Sequence, residues 1–132
     1  MTAAVFISIV GAISAILVSL IGARLANRNS VILQIRKLKE EHYISYIEAL
    51  HDLAAENENL DCMKNYVSAR DKLFIIAGED VIKNLLIYEF EGVGKQNDLH
   101  DKYLTDLIKS IRVDLKLKDK NFPQVFFKRW KK

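Results

Sequence analysis

Thr2-Ala-Ala-Val-Phe-Ile-Ser-Ile-Val-Gly-Ala-Ile-Ser-Ala-Ile-Leu-Val-Ser-Leu-Ile-Gly-Ala23 is a run of 22 residues without a charged side chain. As an α-helix it measures roughly 33 Å, the thickness of the hydrocarbon core of a bilayer. Nothing after Arg24 repeats it. The run predicts one membrane-spanning helix over residues 1–24 with a polar remainder behind it. A cleaved signal peptide fits worse. No basic residue precedes the apolar run, the run is too long, and Arg24 stands where a cleavage site would lie. A soluble core helix fits worse again, because such helices rarely exceed ~14 uncharged residues.

Charge sets the predicted orientation. Arg24, Arg28, Arg36, Lys37 and Lys39 all precede the first acid, Glu40. Basic flanks stay on the cytoplasmic side of a membrane. The expected topology is a single-pass protein of the bacterial inner membrane, N-terminus outside and C-terminus in the cytoplasm. About 109 of the 132 residues lie beyond the span, enough for one small domain. Its limited core leaves room for partner subunits to complete the burial. The single cysteine, Cys62, excludes an internal disulfide and fits no metal spacing.

Within the span, Gly11, Ala15, Ser19 and Ala23 recur every fourth position, with Ala4, Ser8 and Ala12 as a neighbouring row. Small residues let helix backbones approach closely in lipid, so this face is the candidate oligomer interface. Ser8, Ser14 and Ser19 can bond back to their own helix or across to another. A Ser row lining the lumen of a ring of helices is the sharper form of that reading.

The rest reads as a cytoplasmic helical bundle over residues 25–121, so the fold class is all-α. No Gly or Pro interrupts residues 23–56, so the first helix is expected to run on, with Ile35, Leu38, Tyr43, Ile47, Leu50 and Ala54 as its apolar face. Glu56 to Asn59 reads as a turn. A second helix is expected over residues 60–77, with Met63, Tyr66, Val67, Leu73 and Phe74 inward. Gly78 would cap it in the left-handed conformation. A third is expected over 79–91, Gly92 and Gly94 mark a loop, and a fourth spans 98–117 on Tyr103, Leu104, Leu107, Ile108, Ile111 and Leu115. Asn121-Phe-Pro123 would start a short terminal helix over 124–132.

The chemistry is sparse. The chain carries no phosphate loop, nucleophile elbow or metal pattern, so no cofactor and no metal are expected and the chain reads as non-enzymatic. One catalytic alternative stays open. Arg36 and His42 are separated by five residues, which fits the loose R-x(4–6)-H pattern of the helical HEPN ribonucleases. Arg112 and Asp114 are two apart on one helix and cannot pair with each other. Each is a candidate for an inter-helix or inter-subunit bridge, with Glu89 or Glu91 as partners for Arg112. The tail, residues 122–132, interleaves Phe122, Phe126, Phe127 and Trp130 with Lys128, Arg129, Lys131 and Lys132. Phe126, Phe127, Lys128, Arg129 and Trp130 could meet the membrane surface or a protein partner, or the aromatics could pack on the domain. No recognition fold for nucleic acid accompanies the short basic run, so no specific nucleic acid is predicted.

Two stretches carry a family resemblance: Lys72-Leu-Phe-Ile-Ile-Ala-Gly-Glu-Asp-Val-Ile-Lys83 and Leu107-Ile-Lys-Ser-Ile-Arg-Val-Asp-Leu115. With the uncharged N-terminal helix and basic flank, the chain resembles small bacterial membrane proteins such as the accessory proteins of type VI-B CRISPR loci. Arg112 and Asp114 match the second stretch. Leu115-Lys-Leu117 stands where a glycine usually follows, and the chain is shorter at its C-terminus. The resemblance implies a homo-oligomer forming a ring-shaped pore in antiphage defence, with a HEPN-like cytoplasmic domain and a protein partner from the defence system. A membrane-tethered ribonuclease and a monomeric anchor that recruits a cytoplasmic partner are the alternatives.

Overall fold

The computed structural model describes residues 2–55, 59–93, 95 and 97–126. The elements are α1 (Ala3–Ala55), α2 (Leu60–Ile76), α3 (Glu79–Ile87), a π-helical turn (Tyr88–Gly92) and α4 (Asn97–Asp114). The protein is all-helical, with no strand among the described residues. Its chain divides into two compact units, Met1–Lys37 and Leu38–Lys132. The expected continuity of the first helix holds, since nothing in its sequence breaks the backbone bonding from Ala3 to Ala55.

In the second unit, α1 buries Tyr43, Tyr46 and Ala49, with Ile47, Leu50 and Leu53 packed beside them. The expected apolar face began at Ile35 and Leu38 and reached Ala54. Those three residues are exposed, so burial starts at Tyr43.

Asn59 caps α2, its side chain accepting the Asp61 amide at 2.9 Å. The buried line of α2 runs through Tyr66 and Leu73, two turns apart. Met63 and Phe74 were expected inside, yet they are 45% and 39% exposed. Their helical positions lie roughly 60° and 80° off the Tyr66 direction, which explains it.

The α2–α3 junction corrects the reading of Gly78. Ala77 and Gly78 are both extended (φ −72°, ψ 150° and φ −65°, ψ 157°), and Gly78 is the N-cap of α3. Glycine is needed there for space: a Cβ on it would lie 2.5 Å from Asp114 Oδ1. α3 then buries Val81 and Leu85, with Tyr88 following them. The expected single helix over 79–91 breaks into α3 and the π-turn. The turn closes where Val93 N donates to Tyr88 O at 3.0 Å.

α4 buries Leu104, Leu107 and Ile111, with Tyr103, Ile108 and Leu115 partly buried beside them, as its stripe predicts. It ends at Asp114 instead of Leu117. Lys116 takes a positive φ of 61°, and Leu117 N bonds back to Arg112 O at 2.9 Å. The chain then doubles back. No terminal helix starts at Pro123: residues 122–126 are irregular, and the rest of that expected helix lies outside the described residues. The fully buried Thr105 hydroxyl explains the difference. It donates to Val125 O at 3.3 Å and accepts from Val125 N at 3.2 Å and Gln124 Nε2 at 3.1 Å. Those backbone groups pair with Thr105 instead of a helical turn.

Gly92 is buried, and a Cβ there would sit 2.9 Å from Tyr88 Cδ2 and 3.3 Å from Tyr103 Cβ. Gly92→Ala should therefore lower stability by about 1–3 kcal/mol through overpacking. A Cβ on Gly11 meets no atom of its own chain within 4 Å, so Gly11→Ala should leave the melting of the second unit unchanged. Thermal melts followed by circular dichroism compare the two.

Candidate functional site

Three features could carry function: the apolar face of α1, a polar lock on Asp114, and a hydroxyl network behind the π-turn. The first is defined by what does not cover it. The most apolar 18-residue window of α1 has no residue buried. Phe6, Ile7 and Val18 are 64%, 69% and 70% exposed. Large apolar side chains uncovered all around one helix are stable in lipid and costly in water. Ser8 and Ser14 donate to Ala4 O and Val10 O, each at 2.9 Å, which satisfies their hydroxyls within the helix. Cβ atoms on Gly11 and Gly22 would meet nothing within 4 Å. Steps of four drift around a helix by about 40°, so Gly11, Ala15, Ser19 and Ala23 sweep roughly 120°. The 11-residue spacing from Gly11 to Gly22 returns within about 20°. Gly22, and Ala26 four residues on, therefore continue the small face more directly than Ala23. Reading the run at helical period instead of in steps of four finds them.

Asp114 is the centre of the second feature. It sits at the C-terminal end of α4, 17% exposed. Its carboxylate accepts the Tyr43 hydroxyl, the Lys39 ammonium at 3.1 Å and the Gly78 amide at 3.3 Å. One side chain thus joins α1, the α2–α3 junction and α4. Burial alone would raise its pKa. The bonds from Tyr43 and Lys39, with the Lys39 charge and the Gly78 amide, outweigh burial and hold the carboxyl below its usual range. Burial, reinforced by the bond to Asp114, pushes the Tyr43 hydroxyl well up.

Tyr46 and Tyr66 share a hydroxyl bond at 3.1 Å, and Tyr66 donates to Glu89 Oε1 at 2.8 Å. Arg70 lies 3.6 Å from the other Glu89 oxygen. Burial is the main cause that raises both tyrosine hydroxyls far above their ordinary value. Glu89 belongs to the π-turn, so the network pins that turn to α2. On its other side, Tyr88 meets His100 Nε2 at 2.9 Å, and His100 Nδ1 lies 3.2 Å from Asp101.

Arg112 reaches neither Glu89 nor Glu91. It holds Asp119 by two bonds of 2.6 and 2.7 Å and stacks 5.2 Å from the Phe122 ring centre. The reversal after α4 brings Asp119 back to it, which a helix continued to Leu117 would have prevented. Asp114 makes a contact between helices within the chain. In the tail, Phe126 is 75% exposed, and Phe127, Lys128, Arg129 and Trp130 lie outside the described residues. Arg36 and His42 sit on α1 six positions apart, about 600° of winding, so they leave that helix on different faces. Among the described residues no His, Cys, Asp and Glu group has metal-binding geometry.

No family model, curated protein or solved structure matches the chain.

Replacing Asp114 by Ala leaves Lys39 and Tyr43 without their acceptor and should lower stability by about 2 kcal/mol. The acid response follows from its lowered pKa. The contribution of Asp114 is complete above the ordinary aspartate range near pH ~4 and is lost as pH falls through the lower folded value. The wild-type melting temperature should therefore drop more steeply below pH ~4 than that of Asp114→Ala. Melts across a pH series in detergent check this.

Proposed function

We propose that this protein is a single-pass bacterial inner-membrane protein that self-associates through the small face of its first helix. One observation carries the reading: the 22-residue uncharged run of α1, whose most apolar window has no buried residue. Apolar burial gives no drive between helices in lipid, so close packing of small residues takes over there. Gly11, Ala15, Ser19 and Ala23 supply that packing, with Gly22 extending it. The basic flank from Arg24 to Lys39 supports an outside N-terminus and a cytoplasmic second unit.

A ring of such helices would perturb or gate the membrane, and the resemblance to the type VI-B accessory proteins supports antiphage defence as its setting. The role needs no catalytic residue.

Gly11→Ile combined with Ala15→Ile places two branched side chains on the proposed contact. The wild-type protein should show a discrete multi-subunit mass by light scattering after the detergent contribution is subtracted. The double variant should fall to the mass of one chain. A wild-type monomer in several mild detergents would sink the assembly and leave a monomeric anchor in its place.

A further inference from the structure

Two exposed apolar features of the second unit carry opposite charge beside them. The first is the open face of α2 that carries Met63, Lys64, Val67, Asp71, Lys72 and Ile75 among others. Its apolar wall is open: Met63 is 45% and Ile75 83% exposed. Lys64 and Lys72 give it a basic margin. Asp71 is bonded to Arg70 at 3.0 Å, which reduces its effect on that margin.

The second is Phe90, 75% exposed at the middle of the π-turn. It is presented on a fixed base. Glu89 on one side is held by Tyr66 and Arg70, and Gly92 is packed under Tyr88 and Tyr103. An aromatic ring held out on a pinned turn has already lost the freedom that binding would cost, which is the property of a binding anchor. Its free charged neighbour, Glu91, is exposed and acidic. Phe126 is equally exposed, but it leads into a basic tail and so mismatches a basic margin.

Phe90 is 75% exposed, so it does not cover this face in its own chain. We infer that Phe90 of one copy packs on this α2 face of a second copy, with Glu91 beside Lys64 or Lys72. Two different patches then meet head to tail. Each copy offers one of each, so the contact propagates and closes into a ring if the rotation allows. This inference rests on the self-association proposed above and names the contact it makes outside the membrane.

Disulfide capture tests it in the full-length protein. In a Cys62→Ala background, Glu91→Cys is combined with Lys64→Cys in one variant and with Lys72→Cys in another. Phe90 and the apolar wall stay intact. Mild oxidation of the detergent-solubilised complex should give a ladder of dimers, trimers and higher species in at least one double variant. Each single-cysteine variant should stay monomeric on non-reducing gels. Phe90→Asp added to the double variant should abolish the ladder while leaving the melting temperature unchanged, since the ring is exposed.

A multi-subunit mass without a ladder in either pair would overturn this contact alone. Dimers from a single-cysteine variant would replace it by a symmetric one. A mass of one chain with no cross-link would overturn the self-association as well.

Discussion

The carboxylate of Asp114 is the point on which the second unit is built. Three donors from two stretches of chain converge on it: Lys39 and Tyr43 of α1, and the Gly78 amide at the head of α3. A domain of this size buries few large side chains, so apolar area alone specifies its packing loosely. A partly buried charge with all its partners in place tolerates one arrangement and penalises the others. The same constraint reaches the backbone. Gly78 is glycine because the carboxylate stands where a Cβ would be.

How legible this was depended on how local each feature is. The long apolar helix follows from the absence of charge over 22 residues, and the α4 stripe follows from spacing alone. Both are properties of one helix, and both survive into the structure. Met63 and Phe74 fail because α2 buries a narrow line, and the width of a buried face depends on neighbours that a sequence does not display. The π-turn has no mark in Tyr88-Glu-Phe-Glu-Gly92 beyond its glycine. The Lys39–Asp114 pair joins positions 75 apart, and nothing in either neighbourhood points to the other. The terminal helix suggested by Asn121 and Pro123 gives way to one buried threonine hydroxyl, a tertiary demand that overrides local capping chemistry.

The two units divide the physical labour. The first displays apolar side chains on every side and has no buried residue of its own in its most apolar window. The second exposes a scatter of large apolar side chains outside α1, of which Ile75, Phe90 and Phe126 are the most exposed. Association in lipid depends on close backbone approach, and association in water depends on anchors and charge. Under the proposed self-association, changes in either medium would alter the assembly.

Four of the five tyrosines are buried, and each buried hydroxyl has a partner. Where phenylalanine would fill the same space silently, these rings make the interior chemically reportable. Tyr43, Tyr46 and Tyr66 are held protonated above the range where exposed tyrosine ionises, chiefly by burial. The folded state is favoured by these groups below about pH 10 and loses that advantage in stronger alkali. Tyrosinate absorbance is therefore a built-in optical gauge of the intact interior: Tyr43, Tyr46 and Tyr66 ionise only as the helices part.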